Sequence, residues 1–331
     1  MTSLIFPSSL KGIGKSAFLN CEGLSRVTLP EGITSIGETA FASCERLSST
    51  TIPSSVIKIG DRAFSNCLRL INLTISQGVT SIGEGAFRSC GNLPRVIIPS
   101  SVSTIGKGAF ERCSRLTSLT ISEGIANIGR EAFRDCSILT RVMLPSSVTS
   151  IGYAAFGHCS ELRDVFFLGD TPVLESNVFD SAAPEFSIYY LAENSGFASP
   201  TWEGYPAVEI DQSVYPATIW LLTHGLSYDS DLHQDFNGDG VTLLTAYALN
   251  LDPSSALGGM PQPMIGPSAM SMTFYANAPG VTYGAEASTD LQAWETEGVT
   301  ISDLDPANMR TVTGSWDSTI GFLRLTFDMS P

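Results

Sequence analysis

The chain has 331 residues, 43% hydrophobic and 15% charged, and 18 Lys plus Arg against 33 Asp plus Glu leave a formal net charge of -15. Such a composition excludes a disordered or collagen-like polymer, and the length predicts about two or three folded units. No apolar run approaches the roughly 18 residues of a membrane span, and the N-terminus has no basic segment leading into an apolar one. Residues 1 to 165 hold 16 Lys plus Arg and 12 Asp plus Glu, whereas residues 166 to 331 hold Arg310 and Arg324 against 21 acids. Two different modules therefore meet between about 165 and 210. The acidic half would repel phosphate backbones and the bases of the first half alternate with acids, so no nucleic-acid partner is expected.

The first half is periodic. Cys21, Cys44, Cys67, Cys90, Cys113, Cys136 and Cys159 are spaced by 23 residues, as are Phe18, Phe41, Phe64, Phe87, Phe110, Phe133 and Phe156. An Ile-Gly pair recurs from Ile13-Gly14 to Ile151-Gly152, and a leucine follows each cysteine by three, from Leu24 to Leu162. Uninterrupted register is what stacked units need, because one extra residue would push an inward side chain off its row. Met1 to Pro7 already reads as the middle of a unit, aligned with Leu24 to Pro30, and a solenoid needs a polar terminal unit. The expectation is that further repeats precede Met1.

Within a unit, Val27 and Leu29 alternate with Arg26 and Thr28, the period of a half-buried strand. Pro30, Pro53, Pro99 and Pro145 end the strand, followed by Glu-Gly or Ser-Ser turns. A second extended piece follows, such as Ile33 to Gly37, and Ala40-Phe41-x-x-Cys44 fits one helical turn that points Phe and Cys inward. Equivalent strands should stack in parallel at about 4.8 Å. The cysteines read as small buried side chains: stacked neighbours stand too far apart for bridged Cβ atoms, seven is odd, and no CxxC pair exists. Gly12-Ile13-Gly14-Lys15-Ser16 is like the end of a phosphate-binding loop, but Ser9 stands where the first Gly is required. The same slot elsewhere reads Gly37-Glu38-Thr39 and Gly60-Asp61-Arg62, so the Gly is assigned to the turn and Lys15 to an exposed position.

The pattern Leu-x-x-Val-x-Leu-Pro-x-x-Val-x-x-Ile-Gly-x-x-Ala-Phe-x-x-Cys resembles the BspA-like class of leucine-rich repeats, over residues 1 to about 165. The resemblance implies a leucine-rich-repeat solenoid, parallel β with short helical turns, displayed on bacterial or protist surfaces for adhesion and protein binding. Residues 166–210, with Val165-Phe166-Phe167 and Ile188-Tyr189-Tyr190 to Trp202, resemble the irregular last turns that cap such arrays.

The outward strand rows are the binding candidates. One runs Arg26, Ser49, Asn72, Arg95, Ser118, Arg141; the other Thr28, Thr51, Thr74, Ile97, Thr120, Met143. Polar donors and a few exposed apolar groups on a rigid lattice suit a protein or glycan ligand, while Thr is also simply a good strand residue.

Residues 211–253 hold the metal candidate. Asp235, Asn237 and Asp239 with Gly240 match positions 1, 3, 5 and 6 of an EF-hand-like calcium loop, Val241 offers a carbonyl at position 7, and Asp229 and Asp231 are supplementary acids. Leu243 and Ala246 occupy positions 9 and 12, where the loop departs from that pattern, and a helix is expected from Thr242 to Asn250. The segment is similar to the dockerin-like loop-plus-helix of secreted bacterial proteins, which implies calcium; otherwise it is an acidic loop that caps the helix. Residues 254–270 read as a linker. Runs at Met272–Tyr275, Val281–Glu286, Thr311–Thr313 and Phe322–Phe327 predict a small antiparallel β-sandwich over 271–331, and Tyr283 to Trp294 resembles a C-terminal β-module of exported bacterial proteins. Trp294 and Trp316 read as core.

No catalytic residue is assigned. His158, His224 and His233 lie near no nucleophile elbow and in no zinc motif. The leading expectation is a non-enzymatic surface or secreted binding protein, the second a structural spacer anchored by its terminal β-module, the third an unrecognised hydrolase.

Overall fold

The computed structural model describes residues 2–210, 233–234, 241–249, 251, 261, 264–265, 269–276, 278–279, 281–288, 295–297, 299–315 and 322–329. It divides into two units, Met1–Asp211 and Gln212–Pro331.

In the first unit every 23-residue period makes one coil. Alternating side chains send Val27, Val96, Val142 and their equivalents inward. The strands that carry them, from Ser3–Ile5 and Arg26–Thr28 through Asp164–Phe167, run parallel with residue i beside i+23, Ser49 beside Asn72 and Arg141 beside Asp164. A second parallel sheet of two-residue strands, Gly12–Ile13 to Val173–Leu174, forms the next side of the coil with the same register. The long-strand row is interrupted between Asn72–Ile75 and Arg95–Ile98, and again between Ser118–Ile121 and Arg141–Leu144. At the first of these breaks Pro94, which has no N–H, stands where Ile71 and Thr117 each donate to the preceding coil.

The expected helical turn is not a helix. Thr39 and Ser43, two residues either side of Phe41, have φ of 52° and 57°, and the same two positions are left-handed in every coil to Asn177 and Ser181. This breaks α geometry and turns alternate N–H groups along the stack. Thr39, Phe41 and Ser43 donate to Asp61, Ala63 and Ser65 of the next coil at 2.7–2.8 Å, while Ala40, Ala42 and Cys44 bond locally. A left-handed non-glycine residue costs about 1–2 kcal/mol. The coil-to-coil bonds and the buried Phe are what hold it there.

Those phenylalanines form one file, Phe18 to Phe156, with adjacent rings 5.2–5.4 Å apart and interplanar angles of 1–13°. The file continues into the residues read as a cap: Phe179, 23 residues beyond Phe156, stacks on it at 5.7 Å. Strands Ser187–Leu191 and Tyr205–Ile210 prolong the parallel sheet. The stack ends where Phe186 and Tyr205 close over Phe179, and Phe197 and Trp202 over Phe167.

Two further rows explain the glycines. The Ile-Gly glycine is needed for close approach, not for turn geometry: a Cβ on Gly106 would lie 2.7 Å from the carbonyl carbon of Gly83, whereas one on Gly14 would meet nothing within 4 Å. The strand-ending turns alternate with a period of two coils. Gly32, Gly78 and Gly124 are left-handed and donate to Ser55, Ser101 and Ser147 of the following coil at 2.9–3.0 Å. A Cβ on Gly78 would collide with the Ser54 carbonyl oxygen.

In the second unit Ala269–Tyr275 pairs antiparallel with Met309–Ser315, flanked by Met264–Ile265 and Val299–Ile301, and Val281–Ser288 pairs antiparallel with Phe322–Met329. Phe274, Ala285, Val312 and Leu249 share one core between the two sheets. Strand Met264–Ile265 falls within the stretch read as linker. The helix is Leu243–Ala248, capped by the Thr242 hydroxyl, which accepts from the Thr245 N–H. It belongs to the same body as the sheets: Tyr247 donates to the Pro279 carbonyl at 2.6 Å and Tyr283 to that of Ala248 at 2.8 Å. Trp294 and Trp316 lie outside the described residues.

Truncating Phe110 to Ala in the middle of the file should lower stability by about 3–5 kcal/mol, and Gly106→Ala should also destabilise by forcing two coils apart. Denaturant unfolding followed by circular dichroism checks both.

Candidate functional site

Three features of the coil surface carry chemistry. The first is the cysteine file, which is internal. Cys44 to Cys159 are buried free thiols, and each Sγ donates to the carbonyl of the Phe 26 residues earlier, as Cys90 does to Phe64 at 3.3 Å. Burial pushes Cys44 up to about 11 and Cys113 and Cys159 up to about 12, and it raises Cys67, Cys90 and Cys136 as well. These thiols are neutral packing and hydrogen-bonding groups, not nucleophiles.

The second is the outer side of the Phe turns, a ladder of charges that mostly joins one coil to the next. Lys15 pairs with Glu38 at 2.8 Å, Arg62 with Glu84 at 3.2 Å, Arg88 with Glu111 at 2.9 Å and Arg112 with Asp135 at 3.6 Å. Lys15, the residue of the apparent phosphate loop, is thus exposed and occupied. Gly85 and Gly108 lack side chains in two successive coils and leave a notch of about 320 Å³ in this ladder. Its cations, Arg62, Arg88, Lys107, Arg112 and Arg134, face Glu84, Glu111 and Glu131 in the same lining. The notch is net positive in its lining, although each of these cations has an ion-pair partner in the ladder.

The third is the outward face of the long-strand sheet. Arg26, Asn72 and Arg95 of the first row and Thr28, Thr51 and Thr74 of the second are exposed, and Thr120 and Met143 are half-buried. Ile97 is 46% exposed in the same row, and Ile5 lies at its beginning. Arg141 differs from the other two arginines. It donates to Asp164 at 3.1 Å and lies over the Phe166 ring. Phe166, although in the outward row, is buried and stacks on Tyr189 at 4.8 Å. Arg26 and Arg95 make no ion pair among the described residues.

At the first of these arginines the ladder is short, though it is absent altogether between Asn72–Ile75 and Arg95–Ile98. Arg26–Thr28 pairs with Ser49–Ile52 at one position, Arg26 opposite Ser49, and a cavity of about 180 Å³ enters there, lined by Arg26, Thr28, Ser49, Thr50 and Thr51 among others. Thr50 occupies the inward row filled elsewhere by Val27, Leu73, Val96 and Leu119. It is 4% exposed and its Oγ1 has no hydrogen-bond partner. An unmet buried hydroxyl costs about 1–3 kcal/mol. One threonine in an otherwise aliphatic row was the signal available in the sequence.

Of the metal candidates, Asp229, Asp231, Asp235, Asn237 and Asp239 lie outside the described residues. Val241 is buried against Leu243, Tyr247 and Ala278, and Ala246 is buried on the helix. His158 is an exposed left-handed turn residue. Among the described residues no helix is long and apolar enough to cross a membrane.

The fold and its internal files define a parallel β-solenoid of leucine-rich repeats. The BspA type leucine rich repeat region matches in six copies over residues 1–114 and 80–183, and the chain belongs to that family. Solved structures similar to it include a leucine-rich repeat protein of Bacteroides ovatus, 20% identical with a TM-score of 0.47 over 64% of this chain and 63% of that one. Another is the leucine rich repeat protein TpLRR of T. pallidum, 26% identical with a TM-score of 0.41 over 58% and 78%. A third is a leucine rich cell surface protein of Faecalibacterium prausnitzii, 22% identical with a TM-score of 0.33 over 70% and 83%. The chain thus spans less than two thirds of the Bacteroides ovatus protein. No curated protein matches it.

Raised thiol pKa values make stability pH-dependent in a known direction. Below the ordinary thiol value of about 8.5 both folded and unfolded chains hold their thiol protons. Above it the unfolded chain gives them up first, so stability is lost as pH rises from about 9 towards the folded values of about 11 to 12. Melts between neutral and alkaline pH should show this loss, and a thiol reagent at pH 8 should label half-buried Cys21 well before the other six.

Proposed function

We propose that the chain is a non-enzymatic, surface-displayed or secreted binding protein whose contact surface is the outward face of the long-strand sheet. The observation that carries this reading is the contrast between two faces of one coil. The turn face spends its charges on its own neighbours, as in Arg62–Glu84 and Arg88–Glu111. The sheet face keeps Arg26 and Arg95 without an internal ion pair, beside exposed Thr28, Thr51, Thr74 and Ile97. A cation with no internal partner forms a new pair without breaking an old one, and exposed methyl and hydroxyl groups on a rigid lattice lose little entropy when a partner docks. Family membership supports the same reading. A protein partner fits this mixture of cation, hydroxyl and aliphatic groups, and location outside the cell accords with the repeat class.

Immobilised wild type should capture a partner from extracellular material. An Arg26→Glu, Thr74→Trp, Arg95→Glu variant should lose that partner by about tenfold or more, while a Lys15→Glu variant on the turn face should keep it. Equal capture by all three would favour a spacer without a ligand.

A further inference from the structure

Exposed apolar side chains gather at one corner of the coil, where the chain leaves a Phe turn and enters the long-strand sheet. In one coil Leu68 and Ile71 are 42% and 50% exposed, and in the next Pro94 is exposed and Ile97 is 46% exposed. The same positions hold Glu45 and Ser48 in the coil before and Ser114, Thr117 and Thr120 in the coil after, so polar residues bound the patch along the stack. Ile71 and Pro94 occupy one position in adjacent coils, that through which Ile71 donates to Ser48 and Thr117 to Pro94, and their backbones stand about 5 Å apart. Arg69 and Arg95 flank these groups and are exposed. Aliphatic side chains in water beside arginine have the composition of a contact surface.

The second unit carries the complement. Between strands Val299–Ile301 and Met309–Ser315 the chain turns through Asp303-Leu304-Asp305-Pro306, exposed throughout, with Leu304 38% exposed. The turn is held in shape from within. One Asp305 carboxylate oxygen accepts from the Ala307 and Met309 N–H groups at 2.9 and 2.8 Å, and the Ser302 hydroxyl accepts from the Thr311 N–H at 2.9 Å. A preformed turn loses little entropy on docking. A leucine between two carboxylates is the reverse of isoleucines between two guanidinium groups, and Arg69, Arg95, Asp303 and Asp305 all lack an ion pair among the described residues. The spacings agree. Arg95 lies one coil and three residues beyond Arg69, about 11 Å over the surface, and the carboxylates are two residues apart, about 7 Å, a difference the long arginine side chains span.

We propose that this corner of one chain receives the Asp303-Leu304-Asp305 turn of a second copy, with Leu304 against Ile71 and Ile97 and the two carboxylates on Arg69 and Arg95. The inference rests on the sheet face being a contact surface, since Arg95 and Ile97 belong to it, and it names the partner on this part of the face. Corner and turn are different surfaces of the chain, so the contact is heterologous. Each copy offers one of each, and association grows head to tail instead of stopping at a two-fold dimer. A turn on a corner buries less than the roughly 1,200 Å² of a stable complex, which makes the contact weak and populated at high chain concentration.

The test is sedimentation velocity of the purified full chain from about 1 to 500 µM. Wild type should show an average mass that rises with concentration without levelling at two chains. A corner variant, Arg69→Glu with Arg95→Glu, should need at least a tenfold higher concentration for the same mass, and so should a turn variant, Asp303→Arg with Leu304→Asn. Asp305 is left in place because it shapes the turn. Mixed in equal amounts, the two variants should form one-to-one pairs that stop at two chains, because the unaltered corner of one still fits the unaltered turn of the other; misfolded chains would not recover in this way. Lys15→Glu on the turn face should associate as wild type does. Wild type that stays a single chain, mass that levels at two chains, or association that neither variant weakens overturns the proposal. A captured extracellular protein that depends on Arg69 and Arg95 while purified wild type stays single also overturns it, in favour of a foreign acidic partner. If the sheet-face triple variant loses a captured partner and purified wild type stays single, the self-contact falls and the face stands. If the triple variant keeps its partner, the reading of the face falls, whatever the purified chain does.

Discussion

Everything in the first unit depends on each coil returning after 23 residues to the position of the one before, so that backbone donors of one coil meet acceptors of the next. This holds in the long strands, in the two-residue strands and even in the Phe turns, where Phe41 donates to Ala63 and Phe64 to Ala86, both at 2.7 Å. A buried backbone group without a partner is costly, and a turn buried against its neighbours has no water to turn to. The left-handed residues at positions such as Thr39 and Ser43 are the means of satisfying that demand. They rotate every second peptide towards the next coil, which no α-helical turn would do.

Side chains follow the backbone spacing. Phenylalanine rings one coil apart meet face to face with offset, cysteine fills the remaining slot and bonds back to a Phe carbonyl, and glycine is imposed wherever two coils come within contact of a Cβ. Charges on the turn face obey the same rule, with acid above base along the stack. Exposed ion pairs contribute little individually, but a ladder of them discourages slippage by one coil, because a shift changes which charges face each other. On the sheet face Arg141 answers the same demand through Asp164, whereas Arg26 and Arg95 make no ion pair among the described residues.

Thr50 is the exception inside this regularity. In an otherwise aliphatic row it keeps a buried hydroxyl without a partner, beside a short stretch of the ladder. Its side chain points into the core, away from Arg26 and the outward rows, so the unmet hydroxyl is a cost of about 1–3 kcal/mol carried by the surrounding packing.

Seven cysteines and seven phenylalanines at one interval were enough to determine the coil, its parallel stacking and the inward rows, because exact repetition leaves one way to line up like side chains. The antiparallel runs of the second unit were legible from alternation and turn residues. The eighth ring, Phe179, was at the same interval but stood among residues that had lost the cysteine and leucine marks, and the two-coil alternation of Gly78 with Ser101 was present but hidden by the shorter period. Only the tertiary structure decided that the Phe turn is not helical, since left-handed φ at Ser43 or Asp135 follows from bonds to another coil and not from local preference. It also decided that Arg141 is committed to Asp164 while Arg26 is not, because pairing depends on which residue lies one coil away.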